Sequence, residues 1–148
     1  MATTITDIRS ALESVVTGLS PTGTAWGRDA YTIASNFRIG DDRPRVDMDR
    51  EVIIGAIQPG SANTVGSTSD VLLTTMLDVE VWHMMGGDVT VGEGRRDQDL
   101  EQLVREFEDP ANLPSDVCAI TYSDTDVLEL DKHWHSTISF DMTYLGSH

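Results

Sequence analysis

Cysteine is nearly missing from this chain. Cys118 is the only one among 148 residues, so no internal disulfide can form. With Val117, Ala119 and Ile120 beside it, Cys118 is expected as a small buried apolar side chain rather than a reactive thiol. Lysine is equally scarce, since Lys132 stands alone beside nine arginines. Long apolar runs are lacking as well. The longest, Val52 to Ile57 with Gly55 inside it, falls far short of the roughly 20 residues a membrane-spanning helix needs. The N-terminus has no basic stretch followed by an apolar core. These absences predict a soluble chain with no cleaved signal and no membrane contact.

Basic charge is short throughout. Against 25 acidic residues stand 10 basic ones, giving a formal net charge of -15 and a sequence pI near 4.3. Affinity for phosphates comes from neutralising them with Lys and Arg, so free nucleic-acid binding is disfavoured. Aspartate outnumbers glutamate. An Asp-rich, Lys-poor surface stays hydrated when salt screens ordinary charge repulsion, which fits a high-salt habitat. An acidic cytosolic or virion protein from an ordinary source shows the same balance, and composition does not separate the two.

Motifs of high chemical specificity are also lacking. There is no G-x-S-x-G, and no base is evident beside Cys118. Gly86 to Gly94 (G-G-D-V-T-V-G-E-G) lacks the Lys-Ser/Thr ending of a P-loop, and Asp88 and Glu93 would repel phosphate, so it reads as a connector. Adjacent carboxylates such as Asp41-Asp42 or Asp124-Asp126 mean little in a chain this acidic. No spaced calcium-loop pattern appears. His133 and His135, two apart on a strand with Asp131 on the same parity and His83 elsewhere, could ligate a divalent ion. The plainer reading makes them solvated residues at a strand's start, and the expected complement of metals and cofactors is none.

What is present is periodicity. At 148 residues the chain fits a single domain, residues 1-148, with a modest core. Its end, H-W-H-S-T-I-S-F-D-M-T-Y-L, puts Trp134, Ile138, Phe140, Met142 and Tyr144 on one parity and His135, Thr137, Ser139, Asp141 and Thr143 on the other. That is a strand with one packed face and one wet face. Residues 4-19 carry Ile5, Ile8, Leu12, Val15, Val16 and Leu19 at helical spacing, with Thr4 and Asp7 as a capping box. A second helix is predicted over Asp97 to Glu108 through Leu100, Leu103, Val104 and Phe107, with Asp97, Asp99 and Glu101 at its positive end.

A short strand is possible over 31-39. Residues 45-57 and 71-83 alternate as two longer strands. At about 13 residues each and about 3.3 Å per residue, they would form a hairpin on the order of 40 Å long. Its Gly- and Ser-rich loop, 58-70, is predicted to be mobile and to meet a neighbouring subunit. Beyond the second helix the pattern predicts a strand over 117-122, a turn at 123-125, a strand over 127-130 and a turn at 131-132. The fold class is therefore α+β: an antiparallel or mixed sheet with a long hairpin, and two amphipathic helices packed on one face.

These elements in this order resemble the tail terminator proteins of long-tailed bacteriophages and related archaeal viruses. The residues that carry the likeness are the N-terminal helix, the hairpin with its mobile loop, the helix D-Q-D-L-E-Q-L-V-R-E-F-E and the terminal strand. The resemblance implies a non-enzymatic structural virion protein, assembled in the host cytoplasm and resident at the head-tail junction. It implies a homo-oligomeric ring, commonly a hexamer, that caps the tail tube and presents a surface to the head connector. Partners would be the protein itself, the tail-tube protein and a head-completion or connector protein, with DNA passing through unbound. A long hairpin suits a head-closure or tail-tube ring protein equally. The competing class is a small metal-dependent enzyme or binding protein using His83, His133 and His135. In a ring of acidic subunits, Arg43, Arg45, Arg95 and Arg96 could pair with a neighbour's carboxylates, with Gly60, Ser61, Asn63 and Thr64 of the loop and Trp26 as further contacts. A salt-loving archaeal host would fit the composition.

Overall fold

The computed structural model describes residues 5-19, 31-33, 50-55, 57, 61-62, 70-84, 89-130 and 133-147. In chain order these give helix α1 (Ile5–Thr17), strands β1 (Thr32–Ile33), β2 (Arg50–Ile54), β3 (Ser61–Ala62) and β4 (Asp70–Met84), helix α2 (Val89–Glu108), a 3-10 turn at Pro110–Asn112, and strands β5 (Val117–Leu130) and β6 (His133–Ser147). The strands form one sheet in the order β1-β2-β4-β6-β5, with β3 attached to β4. Among the described residues, β1 runs parallel to its neighbour and the other pairings are antiparallel. The fold is α+β.

β6 lies inside the sheet, paired along its length with β4 on one side and with β5 on the other. Its register sets Leu77 opposite Phe140, Val79 opposite Ile138, Val81 opposite Ser136 and His83 opposite Trp134. All of these are buried, and they share the core with Val52 and Ile54 of β2, Ile8, Leu12 and Val16 of α1, and Leu103 and Phe107 of α2. The period-2 apolar parity of β6 thus faces both helices, and the helical stripes of α1 and α2 cover it. Where β2 runs out, Gly55 continues the ladder: its N–H donates to Asp78 O at 2.8 Å. A Cβ there would sit 2.8 Å from that same oxygen, so close backbone approach requires glycine.

Three local expectations change. Helix α2 begins at Val89, eight residues before the predicted start, because Gly92 and Gly94 are accommodated within it. Each costs about 1 kcal/mol relative to alanine, and tertiary contacts of the first turns outweigh that cost. Arg96 lies over the Trp134 ring at 4.9 Å, and Gly92 is buried. Asp97, Asp99 and Glu101 are therefore mid-helix residues and do not cap a dipole. Next, the turn predicted at 123-125 is continuous β5, with a register shift between Tyr122 and Asp124. A β-bulge uses the same small polar residues as a turn, and bulges collect on edge strands such as this one. Finally, Cys118 is exposed, because a second register shift between Val117 and Ala119 takes it out of the alternation and leaves Val117 and Ile120 as the buried pair.

Among the described residues, β2 pairs with β4 from Arg50 opposite His83 to Ile54 opposite Val79. The parts of the predicted strands at 34-39 and 45-49, and most of the loop 58-70, lie outside the described residues. Among the described residues no helix is long and apolar enough to cross a membrane.

Candidate functional site

The sheet has a second face, turned away from the helices, and its chemistry differs sharply from the first. Across it run Asp78 and Glu80 of β4, Thr137, Ser139 and Asp141 of β6, and Asp124 and Asp126 of β5, aligned by register as Glu80–Thr137–Asp126 and Asp78–Ser139–Asp124. β4, β5 and β6 contain no lysine or arginine at all. The carboxylates of β4 and β5 are separated by the hydroxyl-bearing Thr137 and Ser139 of β6, so the face is negative by composition without placing two carboxylates directly opposite each other. Asp124, Asp126 and Asp141 are exposed, and Asp78 and Glu80 are half-buried. Ser139 Oγ donates to Asp78 Oδ1 at 2.9 Å, which orients that carboxylate along the surface.

Toward the β2 end the same face closes over. Trp82 stacks on His135 with ring centroids 4.0 Å apart and planes 10° from parallel, and His135 Nε2 is 2.9 Å from Glu80 Oε1. Trp82, Ile53 and Glu51 are buried beside them. His135 is therefore engaged within the chain itself, stacked on an indole and held by a carboxylate.

His83 lies on the opposite side of the sheet. It shares the parity of Val79 and Val81, and its Nε2 is 2.8 Å from Asp99 Oδ2 of α2, with both side chains fully inaccessible to solvent. Tyr31 extends the seam: its hydroxyl donates to Gln102 Oε1 at 2.8 Å and approaches Asp99 O at 3.4 Å. The seam ties α2 to the end of β4 and to the segment entering β1. The His83–Asp99 pair is shut off from solvent and links α2 to β4 through a buried polar contact.

The histidines His83, His133 and His135 are thus not a cluster. The sheet separates His83 from the other two, and one ion could not be reached by all three. Among the described residues no group of three or more His, Cys, Asp or Glu side chains is placed to hold a metal ion.

Of the predicted contact residues, Arg95 and Arg96 lie in the first half of α2. Arg96 makes contacts within the chain, over Trp134 and 3.0 Å from Asp97 Oδ1. Arg95 is half-buried. Ser61 begins β3 and pairs with Thr74 of β4. Trp26, Arg43, Arg45, Gly60, Asn63 and Thr64 lie outside the described residues. No family model matches the chain, and no curated protein matches it.

Two features were missed by pattern reading, although a signal for each exists. Gly92, Arg96, Asp99, Leu103 and Phe107 follow at spacings of three and four, so Asp99 belongs to the buried stripe. His83 continues the Val79–Val81 parity and is buried for the same reason.

Proposed function

We propose that the protein is a structural virion component that forms a ring at the head-tail junction of a long-tailed virus. There it caps the tail tube and joins it to the head connector, without enzymatic activity. The observation that carries this reading is the acidic sheet face: Asp78, Glu80, Asp124, Asp126 and Asp141 on strands with no lysine or arginine. Duplex DNA carries about one negative charge per 1.7 Å of its axis. A lumen lined by carboxylates on a rigid sheet repels that charge from every side and leaves no site where a passing duplex could lodge. Arranged around an axis with this face inward, the sheet supplies such a lining. The helices then lie outside, and the sheet edges face neighbouring subunits.

Within the same class the layer could be head closure or the tube itself, and mixing experiments distinguish the three. Purified protein added to polymerising tail tubes of the cognate virus is expected to bind at one end of each tube and to halt elongation at substoichiometric ratios. Uniform incorporation along the tube would assign it to the tube, and binding to isolated head connectors but not tubes would assign it to head closure. Failure to bind any of these would remove the virion reading.

A further inference from the structure

On the helix side of the sheet, α2 and β5 frame an open groove of about 620 Å³. Sites for small molecules usually enclose about 300–1,000 Å³ and set a few fixed polar groups around an apolar lining. This groove has both. Leu100 and Val104, one helical turn apart on α2, and the ring of Tyr122 on β5 supply its apolar floor. Glu101, Arg105, Glu108 and Asp109 form the rim on the helix side.

The groove is firmly built. Tyr122 lies opposite Phe140 in the register, so it points to the helix side, yet 41% of it is exposed. Its ring meets Phe140 edge-on with centroids 6.3 Å apart, and its hydroxyl shares a 2.8 Å hydrogen bond with Thr125 Oγ1. Two rim carboxylates are fixed as well. Glu108 Oε2 accepts the Tyr122 backbone N–H at 2.9 Å, and Asp109 Oδ1 accepts that of Ala111 at 3.0 Å. A wet aromatic face locked between such contacts loses little freedom when something settles on it.

Shape, aromatic surface and charge together select the occupant. Among the described residues that line the groove, Glu101, Glu108 and Asp109 stand against Arg105 alone, which disfavours an anion. A neutral apolar molecule would cover the floor while stripping water from the rim charges and giving them no partner. A bare inorganic cation makes no use of Leu100, Val104 or Tyr122. An organic cation with an apolar body satisfies both parts: its ammonium meets the rim carboxylates while its hydrocarbon lies on the floor. An aromatic face such as that of Tyr122 adds attraction for a cation within about 6 Å. We propose that the groove between α2 and β5 is a binding site for a small amphiphilic amine or quaternary ammonium compound. The site belongs to a single chain and is independent of ring formation.

Calorimetry and methyl NMR on the full chain, at fixed salt and pH, test this with phenylbutylamine, phenylbutanol and phenylbutyrate, which share one apolar body and differ in charge. The amine should bind at one site per chain and shift the methyl signals of Leu100, Val104 and Thr125. The alcohol should bind at least about tenfold more weakly, and the acid should not bind. Glu101 on α2 and Asp126 on the far face of the sheet are both exposed, so neither Glu101→Lys nor Asp126→Lys should move the denaturation midpoint. The two variants change the net charge equally. Glu101→Lys should weaken the amine at least about tenfold, and Asp126→Lys by less than about twofold. Equal binding of amine, alcohol and acid would overturn the assignment, as would no binding of the amine. Equal losses in the two variants would trace the attraction to the charge of the whole chain and overturn it too. A capped hexapeptide of lysine and leucine that shifts these methyls where the amine does not would give the groove to a polypeptide partner and end the small-ligand reading.

Discussion

Phe140→Asp is expected to abolish folding. Phe140 is fully buried on β6, opposite Leu77 of β4 and Tyr122 of β5, with its ring 5.4 Å from Phe107 of α2 and tilted 57° to it. It is the point where both sheet neighbours and one helix converge. Truncating a buried phenylalanine costs about 3–5 kcal/mol, and leaving an unpaired carboxylate in the cavity adds several more. A domain of this size has about 5–15 kcal/mol of stability in total. The variant should therefore show no cooperative unfolding transition by circular dichroism, and it should assemble nothing. Asp141→Asn, one residue along on the opposite face, should unfold close to the wild-type midpoint. A folded Phe140→Asp protein with an ordinary denaturation curve would mean that the β6 parity faces the other way.

The second large effect concerns the buried seam. Asp99→Ala leaves the His83 imidazole without its 2.8 Å partner inside the protein, where neither group has any exposure. Removing one member of a buried hydrogen-bonded pair costs about 1–3 kcal/mol, and His83→Ala should cost a similar amount. The two losses should not add: the double variant is expected to fall short of their sum by about 0.5–3 kcal/mol, the coupling typical of groups in one network. Denaturant titration of the four proteins measures this directly, with the slope m unchanged if the denatured state is unaffected. Strict additivity would show that His83 and Asp99 stabilise the fold independently and that α2 is held by its apolar stripe alone.

Much of the architecture is legible in the residues themselves. Alternation over Trp134 to Tyr144 and over Leu73 to Val81 identifies the two central strands and their buried faces. The spacing of Ile8, Leu12 and Val16 does the same for α1. What hides the rest is that one residue type serves several structures. Gly92 and Gly94 read as loop although both lie within α2, where Gly92 is buried, and Ser123 reads as a turn although it sits at a bulge. Asp99 reads as a dipole residue until the helix is extended eight residues backward. Then its spacing to Leu103 and Phe107 places it on the sheet.

The candidate site was legible in a different way. Alternation of Asp78 and Glu80 with Leu77, Val79 and Val81 announces a polar strand face. Its sign becomes meaningful only when register lays Asp124, Asp126 and Asp141 beside those residues. Histidine spacing, by contrast, pointed toward a metal that the sheet itself separates from one of its three ligands. Sequence distance carries no information about which side of a sheet a side chain occupies; parity does, and His83 and His135 have opposite environments because each follows the parity of its own strand in the register.

The most direct measurement is the mass and shape of the purified protein in high salt, by light scattering across a wide concentration range together with electron microscopy. A ring protein is expected to give particles whose mass is a whole multiple of 16.2 kDa and images of a closed annulus with a central hole. A species that stays at 16.2 kDa at every concentration and salt level would contradict the proposal that this chain works as a ring.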